Sequence, residues 1–296
     1  MSWRIFFVEV ARVAPLSPSF VRITLTGPDL GDFADNGYDQ RFKLILPLPG
    51  RGVADLPTTG DWYTDWRALP DERRNPIRTY TVRHVRRALR EVDIDVALHG
   101  DIGPATRWAA AVRPGDALAV YGPDATFDGD HGGIDFHAPD HMDIVLLAGD
   151  ETAAPGIAGI LERLPADARG TALIEVPATG DALPIAAPAG VTVRWLARDG
   201  APHGSLLVDA VRAAVRQLVP VAVGGSGPAE LEDVDIDAEL LWEAPVAVPD
   251  GCYAWLAGEA AVIKTLRRML VGEYGMDRRS VAFMGYWRLG RTEDAL

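Results

Sequence analysis

Apolar and polar residues alternate in short runs along the first half of the chain, and the rhythm changes in the second half. Residues 3–13 alternate well enough for a strand, and Phe20 to Thr26 reads as a second, closed by a Gly27-Pro28 turn. Arg41 to Pro47, Arg78 to Arg87, Glu91 to Leu98 and Asp116 to Tyr121 predict four more. Short strands between Gly/Pro turns, with hardly any helix, predict a small antiparallel β-barrel. Between Gly50 and Asn75 lies a polar stretch carrying Trp62, Tyr63 and Trp66, which a connection of that length leads one to expect functional or poorly ordered.

After Asp140 the pattern is different. Met142 to Ala148 is nearly all apolar, as in a strand buried on both faces. A helix over Thr152 to Leu164 follows, then strands at Thr171 to Val176 and Val191 to Leu196 and a helix over Ser205 to Gln217. Beyond an acidic, aperiodic stretch from Val219 to Pro249 come a strand at Cys252 to Ala257, a helix over Ala260 to Glu273 and a strand at Ser280 to Met284. Such alternation predicts a parallel sheet with crossover helices. The expectation is two domains: a β-barrel over residues 1–138 and an α/β parallel-sheet nucleotide-binding domain over 139–296.

Composition narrows the chemistry. The chain has 296 residues, 48% apolar and 24% charged, enough for two cored globular domains. No apolar run approaches the roughly 20 residues of a membrane helix. Ile5 to Val8 is too short for a signal segment and Glu9 ends it, so a cytoplasmic protein without membrane insertion is expected. A net charge of −13 argues against nucleic acid, and an anionic ligand would need a local basic patch, for which Arg86, Arg87, Arg90, Arg288 and Arg291 are candidates. With Cys252 as the one cysteine, an intrachain disulfide, a Cys-rich zinc site and a four-thiolate iron–sulfur cluster are excluded. Any electron carrier would have to be held by other groups.

Several stretches can do that. In Arg78-Thr79-Tyr80-Thr81-Val82-Arg83 a ring that can stack, a hydroxyl and two guanidinium forks suit a flat anionic ligand, although the same alternation describes an ordinary amphipathic strand. Gly103-Pro104-Ala105-Thr106 opens a short helix whose first N–H groups could take an anion, or be simply capped. Gly149-Asp150-Glu151-Thr152 and Leu256-Ala257-Gly258-Glu259 each close a parallel strand and open a helix, where dinucleotides bind, yet Gly-x-Gly-x-x-Gly is absent. Asp128, Asp130, His131, Asp135, His137, Asp140 and His141 crowd one loop, but their spacing fits no zinc motif, and no metal site is expected there.

Taken with His99-Gly100-Asp101-Ile102 before Gly103, Pro114-Gly115-Asp116, and the ending Gly285-Tyr286-Trp287-Arg288-Leu289-Gly290-Arg291, these motifs in this order resemble the siderophore-interacting proteins. These are flavin-dependent ferric-siderophore reductases of the ferredoxin-reductase-like superfamily, and the resemblance runs from about Trp3 to the end. It implies FAD as cofactor, NADPH or NADH as reductant and a ferric siderophore as substrate, with the chemistry at the flavin and no catalytic side chain. It places Arg78 on the pyrophosphate, Tyr80 on the isoalloxazine and Thr81 near N5, with Thr79 and Arg83 in the same motif. It assigns His99, Gly103, Ala105 and Thr106 to the cofactor, Asp150 and Thr152 to the border of both nucleotides, and Gly258 and Glu259 to the nicotinamide. Arg288 and Arg291, beside Tyr286 and Trp287, are candidates for an anionic chelate; packing of the C-terminus is the plain alternative. A monomer is expected. Two other functions remain open on sequence: a general NAD(P)H:flavin oxidoreductase, and a non-catalytic siderophore-binding protein.

Overall fold

The protein is described by a computed structural model covering residues 1–98, 103–222 and 241–290, with the backbone alone for 218–222. It forms two compact units, Met1–Gly133 and a second from Ile134 onward. No helix among the described residues is long and apolar enough to cross a membrane.

The first unit is an antiparallel sheet of seven strands: β1 (Trp3–Pro15), β2 (Phe20–Thr26), β3 (Arg41–Ile45), β4 (Ile77–Thr81), β5 (His84–Arg86), β6 (Glu91–Ala97) and β7 (Ala117–Pro123). Their spatial order is β4-β3-β7-β1-β2-β6-β5, so β4 and β5 are its two edges. The sequence reads Arg78 to Arg87 as one strand, but the ladder changes partner inside it. Val82 N–H donates to Gln40 at 2.8 Å, continuing the β3 side, and Arg83 N–H donates to Asp93 at 2.8 Å, on the β6 side. Two residues thus carry the chain from one edge to the other, and the sheet has to curl into a half-barrel. Inside it Phe6, Val8, Ile23, Leu25, Phe42, Leu44, Ile94 and Val120 form the apolar core.

The Trp-rich stretch proves to be an ordered part of this unit. Its helix α1 (Trp62–Arg67) is capped by Asp61 and buries Trp66 to 1% exposure. Trp66, Ile45, Leu56 and Ala119 make a second apolar cluster, on the other face of β3 and β7. The Trp66 indole donates to the Asn75 carbonyl at 3.0 Å, and the Asn75 amide donates to the Leu46 and Gly52 carbonyls. A connection of this length led one to expect a functional or poorly ordered loop; it is ordered, and its aromatics pack against the outer face of the sheet. A short helix, α2 (Pro104–Ala111), packs Ala105 and Ala109 against the inner core.

In the second unit the expected alternation is present: β8 (Met142–Gly149), α3 (Ala154–Leu161), β9 (Arg169–Val176), β10 (Gly190–Ala197), α4 (Ser205–Ala222), β11 (Trp242–Glu243), β12 (Gly251–Glu259), α5 (Ala260–Arg267) and β13 (Val281–Trp287). The order is β10-β9-β8-β12-β13-β11, parallel except for β11, an antiparallel edge strand inside the stretch that shows no period. The first crossover leaves β8 toward β9, and the later ones arrive at β12 and leave toward β13. The carboxyl ends of the adjacent strands β8 and β12 are therefore a topological switch point, where open α/β sheets hold ligands. Replacing Trp66 by Ala removes a fully buried side chain and should cost about 3–5 kcal/mol in urea unfolding. The variant should also become protease-sensitive between residues 50 and 75, where the wild type resists.

Candidate functional site

In the first unit β4 sets the geometry. Tyr80 lies opposite Phe42 and Arg78 opposite Leu44, so both share the inner face, while Thr79 lies opposite Lys43 on the outer one. Thr79 accepts a hydrogen bond from the Lys43 ammonium at 2.8 Å. Thr81 is buried at the end of the strand. Tyr80 is only partly covered by the core, and the Arg78 guanidinium donates to the Ile77 carbonyl at 2.8 Å. Arg83, from the same motif, is pulled elsewhere: its guanidinium is 3.6 Å from the Asp95 carboxylate and 3.0 Å from the His84 ring.

Arg86 is likewise engaged. Its guanidinium forks onto Asp93 with two 2.6 Å contacts and reaches Glu91 at 3.0 Å. Burial pushes the Asp93 carboxyl up, but donors from Arg86, His84 and Thr24 outweigh it and hold it well below the usual range. A guanidinium neutralised in this way fastens β5 to β6 and is not the free basic patch that composition suggested.

Among the described residues, nothing covers the start of α2. Gly103 caps it with an ordinary extended backbone and no side chain, Pro104 has no N–H, and Arg107 N–H already turns back to Gly103. A Cβ placed on Gly103 meets no atom of the described residues within 4 Å. Glycine is therefore not required by the backbone here; it leaves free space before the Ala105 and Thr106 N–H groups. That cradle, on the unit that carries Arg78 and Tyr80, fits the diphosphate of a flavin dinucleotide. His99 lies outside the described residues.

At the switch point of the second unit the same kind of turn is filled. Asp150, 1% exposed, accepts from Thr152 N–H at 2.9 Å, the Thr152 hydroxyl at 2.5 Å, Glu259 N–H at 2.8 Å and the Trp287 indole at 2.8 Å. Gly258, at φ 145°, is what lets β12 pass: a Cβ there would stand 2.5 Å from the Asp150 carboxylate. Glu175, fully buried, caps α4 by accepting from Gly204, Leu206 and Leu207 N–H at 2.7–3.1 Å. Glu259 caps α5 through Val262 N–H and also accepts from Leu289 N–H.

The counter-charges come from residues the sequence reading passed over. Arg198 forks onto Glu151 at 2.8 and 2.9 Å and reaches Glu175 at 3.3 Å. His203 stands 3.7 Å from both Asp150 and Glu151 and edge-on to Trp287 at 5.0 Å. Burial and the neighbouring Glu151 charge push Asp150 up. Burial also pushes Glu151 up, but His203 and Arg198 more than offset it and bring it down to about 2. The imidazole loses from burial yet is raised overall by Glu151 and Asp150. A His-Gly-Ser run opening a helix was the one sequence signal for this cluster; nothing marked Glu175.

The C-terminal motif is divided by its strand. β13 extends through Trp287, so Tyr286 stacks on Trp242 at 5.6 Å while Trp287 turns to Asp150 and His203. Arg288 lines a pocket between α4 and α5, and Arg291 lies outside the described residues. Among the described residues no three His, Cys, Asp or Glu side chains stand close enough to hold a metal ion.

A curled antiparallel unit followed by a mostly parallel α/β unit, with buried acids gathered at the switch point of its sheet, is a two-domain fold, and each domain has its own family match. Residues 9–127 match the siderophore-interacting FAD-binding domain, and residues 142–290 match the siderophore-interacting protein model. An uncharacterised protein of Mycobacterium tuberculosis is 36% identical over 97% of this chain and 91% of its own length. The ferric vibriobactin reductase of Vibrio cholerae is 31% identical over 97% and 94%. The crystal structure of a siderophore utilization protein from T. fusca superposes with a TM-score of 0.75 at 30% identity, covering 100% of this chain and 97% of the other. The chain belongs to the siderophore-interacting protein family.

Two outcomes test this geometry. Gly258→Ala places a side chain where only glycine is relaxed, so it should lower unfolding stability by about 1–3 kcal/mol. The second concerns pH. Because the His203 pKa is raised from 6.5, its ion pairing contributes fully below pH 6.5 and is lost as pH rises through the folded value. His203→Gln should therefore destabilise most at pH 6, and the gap from wild type should narrow steadily above pH 6.5, read from unfolding midpoints.

Proposed function

We propose that the chain is an FAD-containing, NAD(P)H-dependent ferric-siderophore reductase. The supporting observation is the pairing in one chain of an FAD-binding domain match over 9–127, on the unit that carries Arg78, Tyr80 and the glycine-capped start of α2, and a switch-point sheet matched over 142–290. Arg78 and the Ala105 and Thr106 N–H groups would hold the diphosphate, Tyr80 would cover one ring face, and Thr81 would bond the ring edge. Bound there, FAD supplies two-electron acceptance from a nicotinamide and one-electron donation to ferric iron. The turns at Gly149–Thr152 and Gly258–Glu259 serve the nicotinamide nucleotide, whose transfer step needs reacting atoms within about 3–3.5 Å. The substrate is Fe(III) in an oxygen-rich chelator; Fe(II), a softer ion, is held less tightly and is released.

The name of the ferric vibriobactin reductase carries this chemistry, and its similarity spans both units. Purified protein should be yellow, and anaerobic NADH or NADPH should bleach it. A ferric chelate should then be turned over faster than free flavin or dyes, which a general flavin oxidoreductase would not do. Arg78→Ala should weaken flavin retention by about tenfold, as loss of a charge-assisted contact does, and Tyr80→Ala should shift the bound flavin spectrum. Full, spectrally unchanged flavin in both variants would remove these residues from the site.

A further inference from the structure

His203 stands just before α4, and Gly204, at φ 79°, turns the chain from it into the helix. The imidazole reaches back to the turn after β8, where its Nε2 lies 3.7 Å from both the Asp150 and the Glu151 carboxylates. That separation is beyond hydrogen-bond reach. Both ring nitrogens are buried, and neither has a hydrogen-bond partner among the described residues. Charge is therefore what holds the ring in place. On its flank it stands edge-on to Trp287, whose own indole donates to Asp150 at 2.8 Å.

The charges around the ring are unequal. Asp150 and Glu151 face it from the turn after β8, Arg198 from the end of β10, and Glu175 of β9 lies behind Arg198. The cavity on its other side carries Asp209 of α4, Glu259 at the start of α5 and Arg288 after β13. Five carboxyl groups thus meet two guanidiniums, and a protonated His203 lessens the imbalance. A neutral imidazole gains nothing here: the attraction is gone, and two buried nitrogens are left without the partners that water would supply. It also has somewhere to go. His203 lines a cavity of about 770 Å³ between the first turns of α4 and α5, with the Ser205 and Thr265 hydroxyls in its wall. A change of side-chain rotamer is the kind of motion that would carry the ring from the acids into that space.

We propose that His203 is a proton-operated pin: protonated, it ties the Asp150–Glu151 turn to the start of α4, and neutral, its ring leaves for the cavity and releases the turn. Burial works against the charged ring, but Glu151 and Asp150 outweigh it and raise the pKa from 6.5. The pin is therefore set below pH 6.5 and withdraws as pH rises through the folded value. The turn it holds is one that the function proposed above gives to the nicotinamide nucleotide. On that reading, withdrawal removes a positive charge from a site that receives phosphates, and the reductant binds more weakly at alkaline pH.

The test is a pH titration of the FAD-loaded full chain, followed by NMR of the imidazole Cε1–H signals, that of His203 being the one missing from His203→Gln. Its midpoint should lie above 6.5, and Glu151→Gln, which removes an attracting charge, should bring it down. Unfolding midpoints show that both variants are folded. Diethyl pyrocarbonate, which acylates imidazoles that are both neutral and accessible, separates a withdrawn ring from one that is neutral in place. Above its midpoint His203 should be acylated at a rate close to that of N-acetylhistidine, read by mass spectrometry of its peptide, and well below the midpoint it should resist. A midpoint at or below 6.5 overturns the proposal, and so does a neutral His203 that stays unmodified. The KM of NADH for flavin bleaching is a separate readout. A KM that climbs through the same midpoint in wild type, and not in His203→Gln, supports the link to the reductant; a flat KM defeats the assignment of this turn to the nucleotide and leaves the pin standing.

Discussion

Val82 and Arg83 set the constraint on which the first unit depends. They join β4 to β5, which are the two opposite edges of a seven-stranded sheet, and two residues in extended form span only about 7 Å. The sheet can meet that limit only by curling until its edges lie side by side. Curling creates the inner core around Phe6, Ile23, Phe42 and Ile94, and it brings Arg78 and Tyr80 onto the inner face at the seam. The ion pairs of Arg86 with Asp93 and of Arg22 with Asp95 then tie β5, β6 and β2 together on the half-buried surface, where a bidentate geometry makes such pairs worth more than isolated surface bridges.

The two units treat helix starts in opposite ways. At α2 the cap is a glycine followed by a proline, and no side chain among the described residues takes the first N–H groups. At α4 and α5 glutamates occupy the donors, and Asp150 ties the ends of β8, β12 and β13 together through Thr152, Glu259 and Trp287. An acid in that turn, where a dinucleotide fold usually has glycine, ties the switch point together internally. Arg198 and His203 supply the positive charge that lets Glu151 and Glu175 remain buried, since an unpaired carboxylate there would cost several kcal/mol.

By itself the sequence determined the period of its apolar residues, and with it the order of short strands followed by alternating strands and helices. Period two and period 3.6 are local properties, readable from a window of a dozen residues. It also carried Arg78, Tyr80 and the Gly103 helix start, because their motif is contiguous. Which charges are engaged was decided by tertiary structure alone. Arg86 looked like a free cation until β6 placed Asp93 against it. Trp62, Tyr63 and Trp66 lay in a stretch expected to be functional or poorly ordered, and the outer face of β3 and β7 gives them a surface to cover. Trp287 reaches Asp150 across 137 residues and Arg198 reaches Glu151 across 47. Neither pairing leaves a local trace, because a buried ion pair depends on where the chain returns, and only the folded sheet fixes that distance.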